Sequence, residues 1–139
     1  MKNLVFILLL LIFSVPGFAQ EELGMNYEKV KTRYESMHLA TLELSFLQQR
    51  IIVKNNINDY CLIYDFENDK CFREILLFPK IDQDCWIKKI EEQGWEYNKV
   101  VKRYSLKKDG KRYFGQISLY PSALKYLAFE MKSGAWIYE

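Results

Sequence analysis

The sequence is poor in the residues that carry most enzyme chemistry: its 139 residues include one histidine, three cysteines and six glycines. No CxxC pair occurs, and His38 lies far along the chain from every cysteine, so no familiar zinc motif is present. Gly110, Gly115 and Gly134 are isolated, which excludes a glycine-rich phosphate loop. These shortages argue against metal-dependent hydrolysis and nucleotide chemistry.

The overall composition restricts the fold class. Half of the residues are hydrophobic, 27% are charged, and the formal net charge is only +2. These proportions exclude a disordered chain, a collagen-like repeat and a membrane protein with several spanning helices. They are typical of one compact domain with a single core.

The amino-terminal segment is typical of an export signal. Residues 4–13 form an almost unbroken apolar run behind one cation, and small residues at Gly17 and Ala19 occupy the two positions that a signal peptidase reads. An uncleaved anchor would need about 20 apolar residues to cross a bilayer. We therefore expect residues 1–19 to be a signal peptide and residues 20–139 to be one periplasmic or secreted domain without a transmembrane segment.

Export changes the meaning of the cysteines. In an oxidising compartment Cys61, Cys71 and Cys85 could form one disulfide and would leave one thiol over. Alternatively, all three are small buried apolar residues. If a bridge exists, Cys71 and Cys85 are a natural first choice because they are close in the chain.

The apolar pattern predicts the same order of elements twice, one helix followed by three strands. The predicted helices cover residues 24–36 and 82–93, and the predicted strands cover residues 41–46, 60–66, 71–78, 95–106, 112–120 and 124–131. A helical reading of the first of these strands is also possible.

A short internal match supports this repeated order. Residues 60–66 and 114–120, offset by 54 positions, agree in type at four of seven places. We therefore predict an α+β fold of tandem αβββ units, with halves at about 24–79 and 81–132. Because each half has one helix, the halves must share a core, with two helices covering one face of an antiparallel sheet or sheets.

Two turns set a predicted register for the second half. If Asp109-Gly110 and Pro121-Ser122 are two-residue turns, the core face carries Val100, Tyr104, Leu106, Tyr113, Gly115, Ile117, Leu119, Leu124, Tyr126 and Ala128. The opposite face then holds Lys99, Arg103, Gln116, Ser118, Tyr120, Lys125, Leu127 and Phe129. In the first half Glu74 falls where a core residue is expected, so no register is assigned there.

Residues 24–30 (GMNYEKV) resemble the helix-opening motif of small exported domains built like the beta-lactamase inhibitor protein (BLIP) and the SmpA/OmlA outer-membrane assembly lipoproteins. The strand-turn-strand at 64–71 and the processing site at 18–20 resemble uncharacterised exported proteins of Bacteroidetes-type bacteria. The Gly-x-Pro that usually closes the first helix is replaced by residues 34–36, and no lipidation cysteine is present. The resemblance implies a non-catalytic protein-binding domain.

Charge is distributed unevenly along the chain. Residues 20–87 hold 8 basic and 12 acidic side chains, a net charge of −4, whereas residues 88–132 hold 11 basic and 5 acidic ones, a net charge of +6. Export makes nucleic acid an improbable target of the basic part, so we expect an acidic protein surface or an anionic envelope component. The alternative is ordinary solvated charge with attraction between the two halves.

The motifs for catalysis and metal binding are weak. His38 would have to serve any nucleophile as its base, and no acid stands beside it in the sequence. Asp65, Glu67 and Asp69 alternate around a turn, but a calcium loop also requires a central glycine and a terminal glutamate. We predict no catalytic residue, no cofactor and no metal.

The sequence therefore predicts a binding domain, in which an open sheet face meets a protein partner in an inhibitor or immunity-like role. Tyrosine and other aromatic side chains on such a face bring large contact area at low entropy cost. The predicted binding residues are Lys99, Arg103, Gln116, Tyr120, Lys125 and Phe129. The alternatives are a small envelope hydrolase that uses His38 and a structural component of envelope assembly.

Overall fold

The computed structural model of the protein describes residues 23–36, 40–45, 49–55, 59–121 and 123–134. Two helices and eight strands lie within these residues. The helices are α1 (Tyr27–Glu35) and α2 (Gln83–Glu92), and a 3-10 turn (Lys80–Asp82) precedes α2. The strands are β1 (Ala40–Ser45), β2 (Arg50–Asn55), β3 (Cys61–Glu67), β4 (Lys70–Pro79), β5 (Glu96–Asn98), β6 (Arg103–Lys108), β7 (Lys111–Leu119) and β8 (Tyr126–Ser133).

All eight strands form one antiparallel sheet in the order β1-β2-β3-β4-β8-β7-β6-β5. Each half of the chain contributes four consecutive strands, and the halves meet where β4 pairs with β8. The sequence prediction of an α+β fold with an antiparallel sheet and two helices on one face is confirmed.

Each half contains one strand more than predicted. The predicted αβββ unit is an αββββ unit. The chain reverses after the segment predicted as strand 41–46 and then forms β2. It also reverses within the segment predicted as strand 95–106, which therefore contains both β5 and β6. The reversals use non-glycine residues with positive φ, Gln49 at 46° and Lys102 at 57°. Neither glutamine nor lysine is a usual turn residue with positive φ, so the sequence did not predict these two hairpins.

Local sequence signals mark the start of α1, the hairpin between β6 and β7, and the end of α2. Asn26 caps α1, its side chain accepting a hydrogen bond from the backbone N–H of Lys29 at 2.8 Å. Asp109 and Gly110 both have positive φ and close the two-residue hairpin between β6 and β7. Gly94, with φ of 100°, ends the turn that follows α2.

The main core lies on the face of the sheet that both helices cover, here named the covered face. Val30 and Tyr34 of α1 and Ile90 of α2 are buried against it. The strands contribute Leu62, Tyr64, Leu76, Phe78, Tyr104, Leu106, Tyr113, Leu127, Phe129 and Met131. Glu74 also lies on this face, fully buried, opposite Tyr64 on one side and Met131 on the other.

The seven-residue match at an offset of 54 positions does not relate equivalent positions of the two strands. It aligns Leu62 and Tyr64 of β3 with Gln116 and Ser118 of β7. The first two point into the main core, whereas Gln116 and Ser118 pair with Glu130 and Ala128 on the opposite face. The order of elements recurs, but the inward positions of the two strands differ by one residue.

Gly115 lies where the core leaves no room for a side chain. A Cβ atom at this position would lie 2.4 Å from two ring atoms of Phe129 and 3.3 Å from the Trp95 ring, and both aromatic side chains are buried. Gly115→Ala should therefore lower the free energy of unfolding by about 3 kcal/mol, measured by urea denaturation. Gly134→Ala is the matched control, because its new Cβ would meet only ordinary contacts at 3.5 Å or more. Equal stability of the two variants would contradict this packing.

Candidate functional site

The face of the sheet opposite the helices, here named the open face, is the candidate site. Both described helices contribute their buried residues to the covered face. On β6 and β7 the open face presents Arg103, Ser105, Phe114, Gln116 and Ser118, in the register set by the pairs Ser105↔Phe114 and Ser118↔Ala128. The sequence prediction that Arg103, Gln116 and Ser118 share this face is correct.

Phe129 was predicted on the open face, and this is wrong. It is fully buried in the main core, where it lies opposite Leu76 and Ile117 on the two neighbouring strands. The error arises in the β7–β8 connection, which is longer than a two-residue turn at Pro121 and begins with Tyr120. A shift by an odd number of residues moves every side chain of a strand to the other face.

The same shift corrects other predicted positions. Tyr126 and Ala128 belong to the open face and Leu127 to the main core. Val100 and Leu124, predicted as core residues, are 90% and 71% exposed. They lie in connections between strands, where no register applies.

The remaining predicted residues divide between the face and its edge. Tyr120 packs beside a small apolar cluster in the middle of the open face. Lys99 and Lys125 lie in the connections at one end of the sheet, after β5 and before β8. The structure thus places Arg103, Gln116 and Tyr120 at the open face and separates both lysines from its centre.

The middle of the open face is apolar, and the side chains there pack tightly against one another. Ile63, Ile75, Leu77 and Ala128 are each at most 9% exposed, and Ile52, Cys61 and Tyr120 pack against them. Burial raises the pKa of the Cys61 thiol to about 11, so the reactive thiolate is scarce near neutral pH. All three cysteines are free, with Cys71 buried and Cys85 exposed.

A row of charged side chains borders this apolar cluster. Asp65 is only 4% exposed and accepts hydrogen bonds from Arg50 Nε at 2.5 Å and from Arg73 Nε and Nη2 at 2.8 and 2.6 Å. The row continues from Arg73 Nη1 to Glu130 Oε1 at 3.6 Å, and from there to Lys132 at 3.6 Å. The hydrogen bond to Asp65 raises the pKa of Arg50. Two arginines are thereby held in fixed positions.

A hollow of about 410 Å³ opens over β6 on the basic half of the sheet. Ser105 of β6 lies opposite Phe114 of β7 in this hollow. Beside them, Arg103 of β6 lies opposite Asn98 of β5. The hollow is lined by Asn98, Val101, Arg103, Tyr104, Ser105 and Phe114. A hollow lined by an arginine and a phenylalanine offers both charge and apolar contact to a partner side chain.

A second hollow, of about 440 Å³, adjoins the charged row. It is lined by Arg50, Asp65, Phe66, Glu67, Phe72 and Arg73. Phe72 is the extra residue of a bulge in β4, and the Arg73 guanidinium lies 5.5 Å from the centre of its ring. Sequence reasoning missed this site, although an aspartate between two apolar residues of a buried strand was a usable signal.

The sequence analysis considered His38 for catalysis and the acidic turn at residues 65–69 for metal binding. His38 lies outside the described residues. Asp65 of the acidic turn is occupied by two arginines, and Asp69 accepts a hydrogen bond from the Tyr27 backbone N–H at 3.3 Å. In the described ranges no three His, Cys, Asp or Glu side chains gather closely enough to hold a metal ion. Neither described helix has the length and apolar character needed to span a bilayer.

Comparisons of the chain with protein-family models, with curated proteins and with solved structures found no match. The resemblance to BLIP-like and SmpA/OmlA-like domains therefore remains a prediction from the sequence, and the site is interpreted from its own geometry.

Proposed function

We propose that the protein is a periplasmic or secreted, non-catalytic domain that binds an acidic protein surface through the open face of its sheet. The observation that carries this proposal is the hollow over β6, where Arg103 and Phe114 stand on a sheet face that neither described helix covers. An inhibitor or immunity-like role is its sharpest form.

The side chains in the hollow suit protein recognition. Arginine and aromatic residues dominate the energetics of protein interfaces, especially when they line pockets that exclude water. Phe114 is buried within the free protein and Arg103 is half-buried, so little conformational entropy remains to be lost on binding. An aspartate or glutamate of the partner would meet the guanidinium beside an apolar wall.

The charge around the hollow favours an acidic partner. Residues 88–132 carry a net charge of +6, and Lys107 and Arg112 are exposed on the strands next to the hollow. Complementary charge accelerates encounter and fixes orientation, and its contribution falls as salt rises. The partner should accordingly bind more weakly at high ionic strength.

The test begins with a pull-down from the native envelope fraction, followed by binding measurements with the recovered partner. Arg103→Glu should weaken association at least about 30-fold, because it removes a central charge and leaves acidic groups facing each other. Lys111→Glu, at the far hairpin between β6 and β7, makes the same change in net charge and should weaken it less than about threefold.

A second variant tests the shape of the hollow without changing charge. Ser105→Phe places a ring into the floor, and β-propensity favours this substitution in a strand. It should weaken association by a similar factor while urea denaturation shows a folded domain. If Arg103→Glu and Ser105→Phe both bind the partner as tightly as the parent protein, the open face is not the binding surface.

A further inference from the structure

Among the described residues, the most exposed aliphatic side chains lie at one end of the sheet. Ile81 is 91% exposed, Val100 90%, Leu124 71% and Val101 58%. They lie in the connections β4–α2, β5–β6 and β7–β8. The antiparallel pairing brings the end of β4, the start of β8, the end of β7, the start of β6 and the end of β5 to the same edge of the sheet.

Each of these four aliphatic residues is directly next to a lysine in the sequence. The sequence reads Lys-Ile at 80–81, Lys-Val-Val-Lys at 99–102 and Leu-Lys at 124–125. Asp82 is the one acid among the described residues of these three connections. The loop-end surface is defined by Lys80, Ile81, Lys99, Val100, Val101, Lys102, Leu124 and Lys125.

Hydrogen bonds hold this surface in place. The Asn98 side-chain oxygen accepts from the backbone N–H groups of Val100 and Val101 at 2.9 and 3.3 Å, which fixes the loop that presents both valines. The backbone N–H of Lys80 donates to the Lys125 carbonyl at 2.8 Å and joins the other two connections. The aliphatic groups are therefore presented to solvent by ordered backbone.

From this arrangement we infer that the loop-end surface docks on an anionic phospholipid membrane. Aliphatic tips enter the boundary between headgroups and acyl chains, and lysines beside them reach the lipid phosphates. A protein partner fits less well, because protein interfaces are enriched in aromatic residues and arginine and depleted in lysine. The loop-end surface has the opposite composition, because it contains lysines and aliphatic residues. Isolated exposed aliphatic residues are common on protein surfaces, but here four of them lie at the same end of the sheet.

This inference goes beyond the proposed function, because it uses a surface at the strand ends and not the hollow over β6. Docking at the strand ends would stand the sheet on edge against the membrane. The open face would then remain accessible to a protein partner. The two proposals can fail separately.

The test is co-flotation of the exported, processed protein with vesicles. Vesicles of equal parts phosphatidylglycerol and phosphatidylcholine should carry the protein, and phosphatidylcholine vesicles should not. The double variant Val100→Ser with Leu124→Ser removes apolar contact, and Lys99→Gln with Lys125→Gln removes charge. Each pair should lower the partition coefficient at least about tenfold.

Matched controls lie away from this end. Lys107→Gln with Lys111→Gln makes the same charge change on the hairpin at the opposite end of the sheet, and Leu44→Ser removes an aliphatic residue that is 41% exposed there. Both should change partitioning less than about twofold. Val100→Trp gives an independent signal, a blue shift of tryptophan emission when anionic vesicles are added.

Three results would overturn the inference. The first is that the parent protein does not float with anionic vesicles. The second is that the control variants lose as much of the partition coefficient as the loop-end variants, which would indicate unspecific charge attraction. The third is a Val100→Ser, Leu124→Ser variant that floats normally but loses a protein partner, since the surface would then be a protein interface. Ser105→Phe should float like the parent protein, which separates this outcome from failure of the proposed function.

Discussion

Phe129→Ala should lower the free energy of unfolding by about 3–5 kcal/mol. Phe129 is fully buried, and its ring meets Trp95 at 5.1 Å and Tyr104 at 5.6 Å in edge-to-face geometry. It also lies opposite Leu76 at the junction of β4 and β8, where the two halves of the sheet meet. The substitution would leave a cavity at that junction. Urea denaturation measures the loss, which is a large part of the stability of a domain this size.

Leu124→Ala is the matched control for this loss. It also truncates a large apolar side chain in the same half of the protein, but Leu124 is 71% exposed and should contribute less than about 0.5 kcal/mol. If Phe129→Ala does not yield folded protein, Phe129→Leu gives a smaller cavity and should still be clearly less stable than the control. Equal stability of the Phe129 and Leu124 variants would place Phe129 on the surface, as the sequence register predicted.

The fold could be predicted where local signals and hydrophobic periodicity agree. The Asp109-Gly110 signal correctly predicted the β6–β7 hairpin, and both turn residues have positive φ. The register set by this two-residue turn pairs Tyr104 with Gly115, as the structure shows. Beyond Leu119 the same reasoning failed, because the longer connection to β8 offers no residue that sets its length. An error of three residues in that connection was enough to exchange the faces of the last strand.

The candidate site could be predicted only in part. Strand alternation correctly assigned Arg103 and Gln116 to the open face, although the sequence does not show which side chains surround them there. The hollow beside Arg103 needs side chains from three strands, and the number of strands was underestimated because the turn at Lys102 contains no glycine. The loop-end surface depends on which connections share an end of the sheet, which follows from strand order and not from local pattern.

Asp65→Asn is the other change with a large expected effect. The carboxylate accepts four hydrogen bonds, at 2.5 and 3.1 Å from Arg50 and at 2.6 and 2.8 Å from Arg73. With a neutral amide at position 65, the guanidinium groups of Arg50 and Arg73 would lose the negative charge that lies between them. The two positive charges would then repel each other at a largely buried position. Removing one partner from a buried ion pair costs about 3–5 kcal/mol. Because the arginine side chains are 27% and 28% exposed, water offsets part of this cost, and we expect about 2–4 kcal/mol.

Glu67→Gln, two residues further along β3, makes the same charge change at an exposed position and should alter the free energy of unfolding by less than about 0.5 kcal/mol. A double-mutant cycle with Arg73→Gln then separates the interaction from the general effect of charge. Once Arg73 is neutral, Asp65→Asn should cost clearly less, because only Arg50 still requires the carboxylate. Additive losses in the cycle, or an Asp65→Asn variant as stable as Glu67→Gln, would mean that Asp65 is solvated and does not hold the arginines of the open face in place.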